Sequence, residues 1–200
     1  MLRYRVRHRI VAAILTLIGV AAVGGGVAWL VTRAHRGTGE PAPVARLHHH
    51  ALEPVNLCQN CAQGYNPLGT PSDEGPNPGL AIDDQPNTYW RTQEYYDHKL
   101  APKAGTGIYL NASPGGGTVA RALRITDATP GFWVAIYARN SQPPLRWPDP
   151  GWVRLSPRTR VHTNTLIPLS GAQRYRYFLV WITGLGGHEQ LAIDQLTLYR

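Results

Sequence analysis

Cysteine is scarce: Cys58 and Cys61 are the only two in 200 residues. Without a second pair, a four-Cys zinc site is excluded. Ala62 follows Cys61, so the haem-attachment pattern C-x-x-C-H fails. No βαβ pattern surrounds the pair, which argues against a thioredoxin-like role. The residues ahead of it, Val55-Asn56-Leu57, lack the small residue of a lipoprotein cleavage site. Catalytic signatures are missing too. There is no Gly-x-Ser-x-Gly elbow, and His188-Glu189 lacks the second His of a zinc protease helix. Acids number only 12, and Asp73-Glu74 and Asp83-Asp84 are adjacent pairs in turn-like sequence. Glycoside cleavage needs two acids roughly 5–10 Å apart across a cleft. The chain is read as a non-enzyme that requires no cofactor.

Positive charge is plentiful but not concentrated in the C-terminal part. The formal net charge is +8. Residues 1–61 hold seven Arg and two Glu, a net of +5, and residues 62–200 hold 13 Lys+Arg and 10 Asp+Glu, a net of +3. Nucleic-acid binding needs a clustered basic face, so no nucleic-acid partner is expected. A basic patch for anionic envelope polymers stays open.

What is present at the N-terminus is one long apolar run. Ile10 to Val31 is uncharged over 22 residues. About 20 apolar residues span a bilayer core, whereas a secretory signal has an apolar region of roughly 7–15 followed by small residues. Trp29-Leu30-Val31 closes the run instead, so an uncleaved anchor is expected. Arg3, Arg5, Arg7 and Arg9 precede it, against Arg33 and Arg36 after it. The positive-inside rule places the N-terminus in the cytoplasm and the rest outside, with Tyr4 and Trp29 near the interfaces. The expected organisation is a cytoplasmic tail (1–9), a transmembrane helix (10–31), a linker with the C-x-x-C (32–61) and an ectodomain (62–200). Glu40-Pro41-Ala42-Pro43 stiffens the linker. His48-His49-His50 within it is read as solvated chain rather than a metal grip. Outside the cytoplasm a local Cys58–Cys61 disulfide is the favoured reading.

From Ala62 onward no amphipathic helix exceeds two turns. Short β-branched and aromatic runs alternate with Gly/Pro turns, the all-β pattern. Strands are predicted at 107–110, 122–126, 132–137, 151–155, 165–169, 175–182 and 190–199. The run at 175–182 has large side chains on both faces, as a central strand should. Seven or more strands fit a sandwich or jelly roll.

Five elements in order carry a resemblance. Ala81-Ile82-Asp83-Asp84 runs into Thr88-Tyr89-Trp90. Ile108-Tyr109-Leu110-Asn111-Ala112 follows, then Asp149-Pro150-Gly151-Trp152, Arg176-Tyr177-Phe178-Leu179-Val180 and Ile193-Asp194-Gln195-Leu196-Thr197-Leu198-Tyr199. Together they resemble the F5/8 type C, or discoidin-like, domain of the galactose-binding-like superfold. Tyr89-Trp90-Arg91-Thr92 and Tyr95-Tyr96 look like the version carried outside the membrane by some bacterial serine/threonine kinases and lipid-II-flippase-type proteins. No kinase Gly-rich loop, catalytic Asp loop or Asp-Phe-Gly is present here. The resemblance implies a jelly-roll β-sandwich whose end loops bind glycans, lipid head groups or proteins. In some members it implies a structural calcium near the opening turn, which here would use Asp83 and Thr88. The closing Glu of that pattern is Gln195. The alternative for Asp83 is that it accepts hydrogen bonds from its own turn.

Sugar sites pair an aromatic platform with planar hydrogen-bonding groups, because a sugar's C–H face stacks while its hydroxyls need partners. Residues 91–99 and 139–147 carry that chemistry, and His188-Glu189 marks a third loop. Arg91, Tyr95, Tyr96, Arg146 and Trp147 are the candidate ligand-binding residues. Trp90, Trp152 and Trp181 are assigned to the core, and Trp133 is left open. The expected function is a membrane-anchored module recognising envelope glycan. The alternative is an envelope protein–protein scaffold.

Overall fold

The computed structural model describes residues 51–69, 75–127 and 129–200. The anchor expected at 10–31, the cytoplasmic tail and the His48–His50 run lie outside these residues. Among the described residues no helix is long and apolar enough to cross a membrane.

The described chain is two antiparallel sheets. The strands are β1 (Ala62–Tyr65), β2 (Trp90–Arg91), β3 (Thr106–Asn111), β4 (Ala122–Asp127), β5 (Trp133–Arg139), β6 (Val153–Arg154), β7 (Thr159–Arg160), β8 (Asn164–Pro168), β9 (Tyr177–Gly184) and β10 (Ala192–Tyr199). One sheet has the order β1-β3-β9-β5-β6, with β7 also on β5; the other has the order β2-β10-β4-β8. All seven predicted strands are present. Three short ones, β1, β2 and β7, were not predicted.

Period-two alternation builds the core. Ile108, Leu110, Val134, Ile136, Phe178, Val180 and Ile182 point inward from the first sheet. Leu123, Ile125, Ile167, Leu196 and Leu198 meet them from the second. Trp90 is fully buried among them. Strand β9 is central, paired to β3 on one side and β5 on the other. Its alternate residues Leu179 and Trp181 form a second apolar cluster on the outer face, with Tyr65 and Trp152. All three tryptophans assigned to the core are therefore buried. Trp133 is half-buried on the outer face with the Arg158 guanidinium 4.2 Å from its ring.

Folded structure begins ahead of Ala62, inside the stretch read as linker. Val55 N–H donates to the Leu198 carbonyl (2.8 Å), and Glu53 and Arg200 exchange backbone hydrogen bonds. Cys58 and Cys61 form the disulfide. The Cys61 carbonyl then accepts from Asn111 N–H (2.6 Å), which delivers the chain into β1.

The register defines two ends. Ala62, Asn111, Ala122, Tyr177 and Tyr199 lie at the end where the chain enters. Arg91, Thr106 and Ala192 lie at the other. Gly107 permits the close approach of β3 to β9, since a Cβ there would lie 2.1 Å from the Val180 carbonyl oxygen.

Candidate functional site: an aromatic face and its groove

The two loops singled out in the sequence lie in different places. Residues 92–105 cap the far end. The 140–152 loop leaves β5 at the entry end and folds over the outer face of the first sheet.

In the first loop the candidates divide. Arg91 is exposed on β2, its guanidinium over the Tyr89 ring at 4.6 Å. Tyr96 is 79% exposed. Tyr95 corrects the expectation: at 6% exposure it belongs to the core and cannot present a ring to a sugar. Its N–H donates to the Glu189 carbonyl (2.7 Å), which ties this loop to the third one. The His98 imidazole lies 3.8 Å from the Glu189 carboxylate.

In the second loop Arg146 and Trp147 hold the loop down. Trp147 stacks on Trp181 (centroids 4.3 Å, planes 30° apart) and meets Tyr137 edge-on at 5.1 Å. This is the geometry of an aromatic fixing a loop rather than offering a free face. The Arg146 carbonyl accepts from the Tyr65 hydroxyl (3.1 Å), which in turn accepts from Trp152 Nε1 (3.2 Å). Burial pushes the Tyr65 phenol above its ordinary range. Asp149 gathers three donors: Arg139 Nη1 (3.0 Å), Arg146 Nε (3.1 Å) and Gly151 N–H (2.9 Å). Arg139 and Asp149 are both 8% exposed. The resulting clamp fixes both ends of the loop.

With the loop pinned, its other residues are presented. Gln142, Pro143 and Leu145 form one wall of a groove of about 540 Å³; Gln63, Tyr65, Asn66 and Tyr109 form the floor and the facing side. No charged side chain lines it among the described residues. Tyr109 is half-buried and edge-on to Tyr65 and Tyr177, 6.3 and 6.0 Å away. The Tyr177 hydroxyl donates to Gln142 Oε1 (3.3 Å), orienting that amide. Both polar atoms of the Asn66 amide are buried and have no hydrogen-bond partner among the described residues. A buried amide left unpaired costs free energy that an incoming hydroxyl would recover. The sequence marked this loop, but Gln142, Tyr109 and Asn66 carried no signal beyond being amides and a tyrosine next to strands.

The opening turn is closed by its own groups. Asp83 Oδ1 accepts from the Thr88 hydroxyl (2.8 Å) and from Gln85 N–H (3.1 Å). Gln195 exchanges two hydrogen bonds with Asp84, one to its N–H (3.1 Å) and one to its carboxylate (2.9 Å). Among the described residues no three His, Cys, Asp or Glu converge as a metal group. Asp83 and Thr88, the pair that the resemblance implies as calcium ligands, are hydrogen-bonded to each other.

No family model matches the chain. Solved structures do. Chitosan-binding module 1 of a Paenibacillus sp. IK-5 chitosanase/glucanase is 16% identical, with a TM-score of 0.53 over 74% of this chain and 99% of the module. The CBM32 of AlyQ, solved with 4,5-unsaturated mannuronic acid, is 12% identical, with a TM-score of 0.52 over 74% of this chain and 98% of that one. The F5/8 type C domain of a Bacteroides fragilis protein is 13% identical, with a TM-score of 0.52 over 74% and 96%. The two-sheet topology, the buried Trp90 behind its Asp83 turn and these likenesses agree: the described domain has the F5/8 type C, discoidin-like fold.

Proposed function

We propose that residues 51–200 form a non-catalytic glycan-binding module, held outside the membrane by the 10–31 segment, with the 140–152 loop and β1–β3 forming its sugar groove. The observation that carries this reading is the groove lining: planar amides of Gln63, Asn66 and Gln142 beside Tyr109, with no charged side chain among the described residues. Amides offer donor and acceptor together, which suits vicinal hydroxyls, and the tyrosine supplies apolar surface for a C–H face. The likeness to modules described as binding chitosan or solved with a uronic acid supports the same ligand class.

The test is affinity electrophoresis of the full chain in non-ionic detergent through gels containing soluble glucans, chitosan or solubilised cell-wall glycan. Retardation by at least one polysaccharide is expected. Tyr109→Ala and Gln142→Ala should each weaken it about tenfold, the equivalent of roughly 1.4 kcal/mol. Retardation unchanged in both variants would remove the groove from the account. The scaffold reading has one observation in its favour: Leu145, at the groove rim, is 92% exposed. A protein partner that co-purifies and survives both substitutions would favour it.

On this reading the domain needs no metal. Chelation with EDTA should leave its Tm unchanged, measured by differential scanning fluorimetry. A fall in Tm restored by calcium would reassign Asp83 and Thr88 as ligands.

A further inference from the structure

A second pocket, of about 480 Å³, lies at the entry end and shares no lining residue with the groove. Pro54 to Cys58, ahead of β1, form one wall; the 111–121 turn forms another. Among the described residues its only charged lining residues are Arg121, Arg174 and Arg200. Among the described residues, neither Arg121 nor Arg174 has an acidic side chain in ion-pair range, while Arg200 Nε meets Glu53 at 3.2 Å.

The cavity is pre-organised. The disulfide closes one wall. Gly117, at φ 78°, lies against the Tyr175 carbonyl, where a Cβ would come within 2.6 Å. Thr118 and Tyr175 exchange backbone hydrogen bonds of 2.8 and 2.9 Å. Arg174 Nη1 donates to the Gly117 carbonyl (2.7 Å), which fixes the guanidinium at the rim and leaves its remaining N–H groups for a ligand. The Arg121 backbone is held on both sides, its N–H to Tyr199 and its carbonyl from Leu169, each at 2.8 Å.

We infer that this pocket binds a phosphate-class oxyanion through Arg121 and Arg174, with Arg200 at its edge. Guanidinium forks match phosphate oxygens in pairs, and two cations lining one pocket, with no acid partner among the described residues, favour an anion carrying more than one oxygen edge. A soluble phosphate and the phosphodiester of an anionic lipid head group share that chemistry. Their difference is reach: the pocket wall is the segment through which the domain joins its N-terminal chain.

Binding is measured by calorimetry on the full chain in maltoside micelles at low ionic strength. The probes are inorganic phosphate, dihexanoyl phosphatidylglycerol and zwitterionic dihexanoyl phosphatidylcholine. Saturable binding of phosphate and phosphatidylglycerol, in mutual competition and weakened by salt, is expected. Tighter binding of the glycerolipid assigns a head group, and binding of phosphate alone assigns a soluble anion. Arg121→Gln should raise the Kd at least tenfold, and Arg121→Lys, which keeps the charge but loses the fork, by less. Among the described residues the Arg121 side chain makes no hydrogen bond that holds the fold, so its variants should keep the wild-type Tm; Arg174→Gln repeats the test at the second cation. No saturable binding of either anion, or a Kd unchanged in Arg121→Gln and Arg174→Gln, overturns the assignment.

Discussion

Trp181→Ala is expected to lower the Tm by about 10 °C and to abolish glycan retention in the same variant. Trp181 is 2% exposed on the outer face of the central strand. Truncating a buried tryptophan costs roughly 3–5 kcal/mol, and for a domain of about 150 residues each kcal/mol shifts Tm by roughly 2–4 °C. The neighbours extend the damage beyond the cavity. Trp147 rests on this indole at 4.3 Å and Tyr65 meets it edge-on at 5.8 Å. Removing the indole takes away the support of the loop that presents Gln142. Thermal denaturation and affinity electrophoresis check the two halves separately. Trp181→Phe, which keeps an aromatic plane under Trp147, should recover a large part of both. A stable Trp181→Ala protein with full glycan binding would show that the loop holds its shape without the stack.

The long strands that fill the core were the plainest in the sequence, although the exposed β6 and the mostly exposed β8 were predicted as well. Tyr177 to Gly184 alternates Phe178, Val180 and Ile182 against Leu179 and Trp181, and both sets are covered, so its run of large residues was a reliable mark of a central strand. Ala62-Gln63-Gly64-Tyr65 has no such pattern. It is a strand because the disulfide and the Cys61–Asn111 hydrogen bond set it beside β3, a constraint that acts over long sequence separation. The same limit governs the site. Tyr95 and Tyr96 are adjacent and chemically alike, yet one packs in the core and the other is exposed, in a loop tied by the Tyr95 N–H to the Glu189 carbonyl of a loop distant in sequence. Composition marked the 139–147 segment as a binding loop. Which of its residues pin and which present was decided by Trp181 and Tyr65, on other strands. The Asp83–Trp90 turn was legible as a fold element, since the Asp83 hydrogen bonds are local and its tryptophan follows directly, whereas the Asp84–Gln195 pair joins residues far apart in sequence.

Arg139→Ala is expected to destabilise the domain more than Arg146→Ala, although both arginines bind the same carboxylate. Arg146 is 74% exposed, and an exposed pair is weakened by solvent and salt. Arg139 is 8% exposed, donates to Asp149 and Ser141, and lies 5.1 Å from the Trp152 ring. Its removal leaves a largely buried carboxylate without the buried one of its two cations and takes the floor from under Trp152. The pH dependence separates these two losses. Asp149 is held below the ordinary carboxylate range, first by the Gly151 N–H and then by Arg146 and Arg139, against the opposing effect of burial. A carboxyl depressed in the folded state contributes stability that is fully present above its unfolded pKa, near 3.9, and that is lost as the pH falls through the lower folded value. The stability gap between wild type and Arg139→Ala should therefore be widest near neutral pH and narrow as the pH falls below about 4. Chemical denaturation at a series of pH values measures it. A gap that stays constant into acid would assign the stabilisation to packing on Trp152; a gap that closes would assign it to the Arg139–Asp149 pair. In that second case, glycan affinity should fall with it, because the same carboxylate fixes the far end of the loop that forms the groove wall.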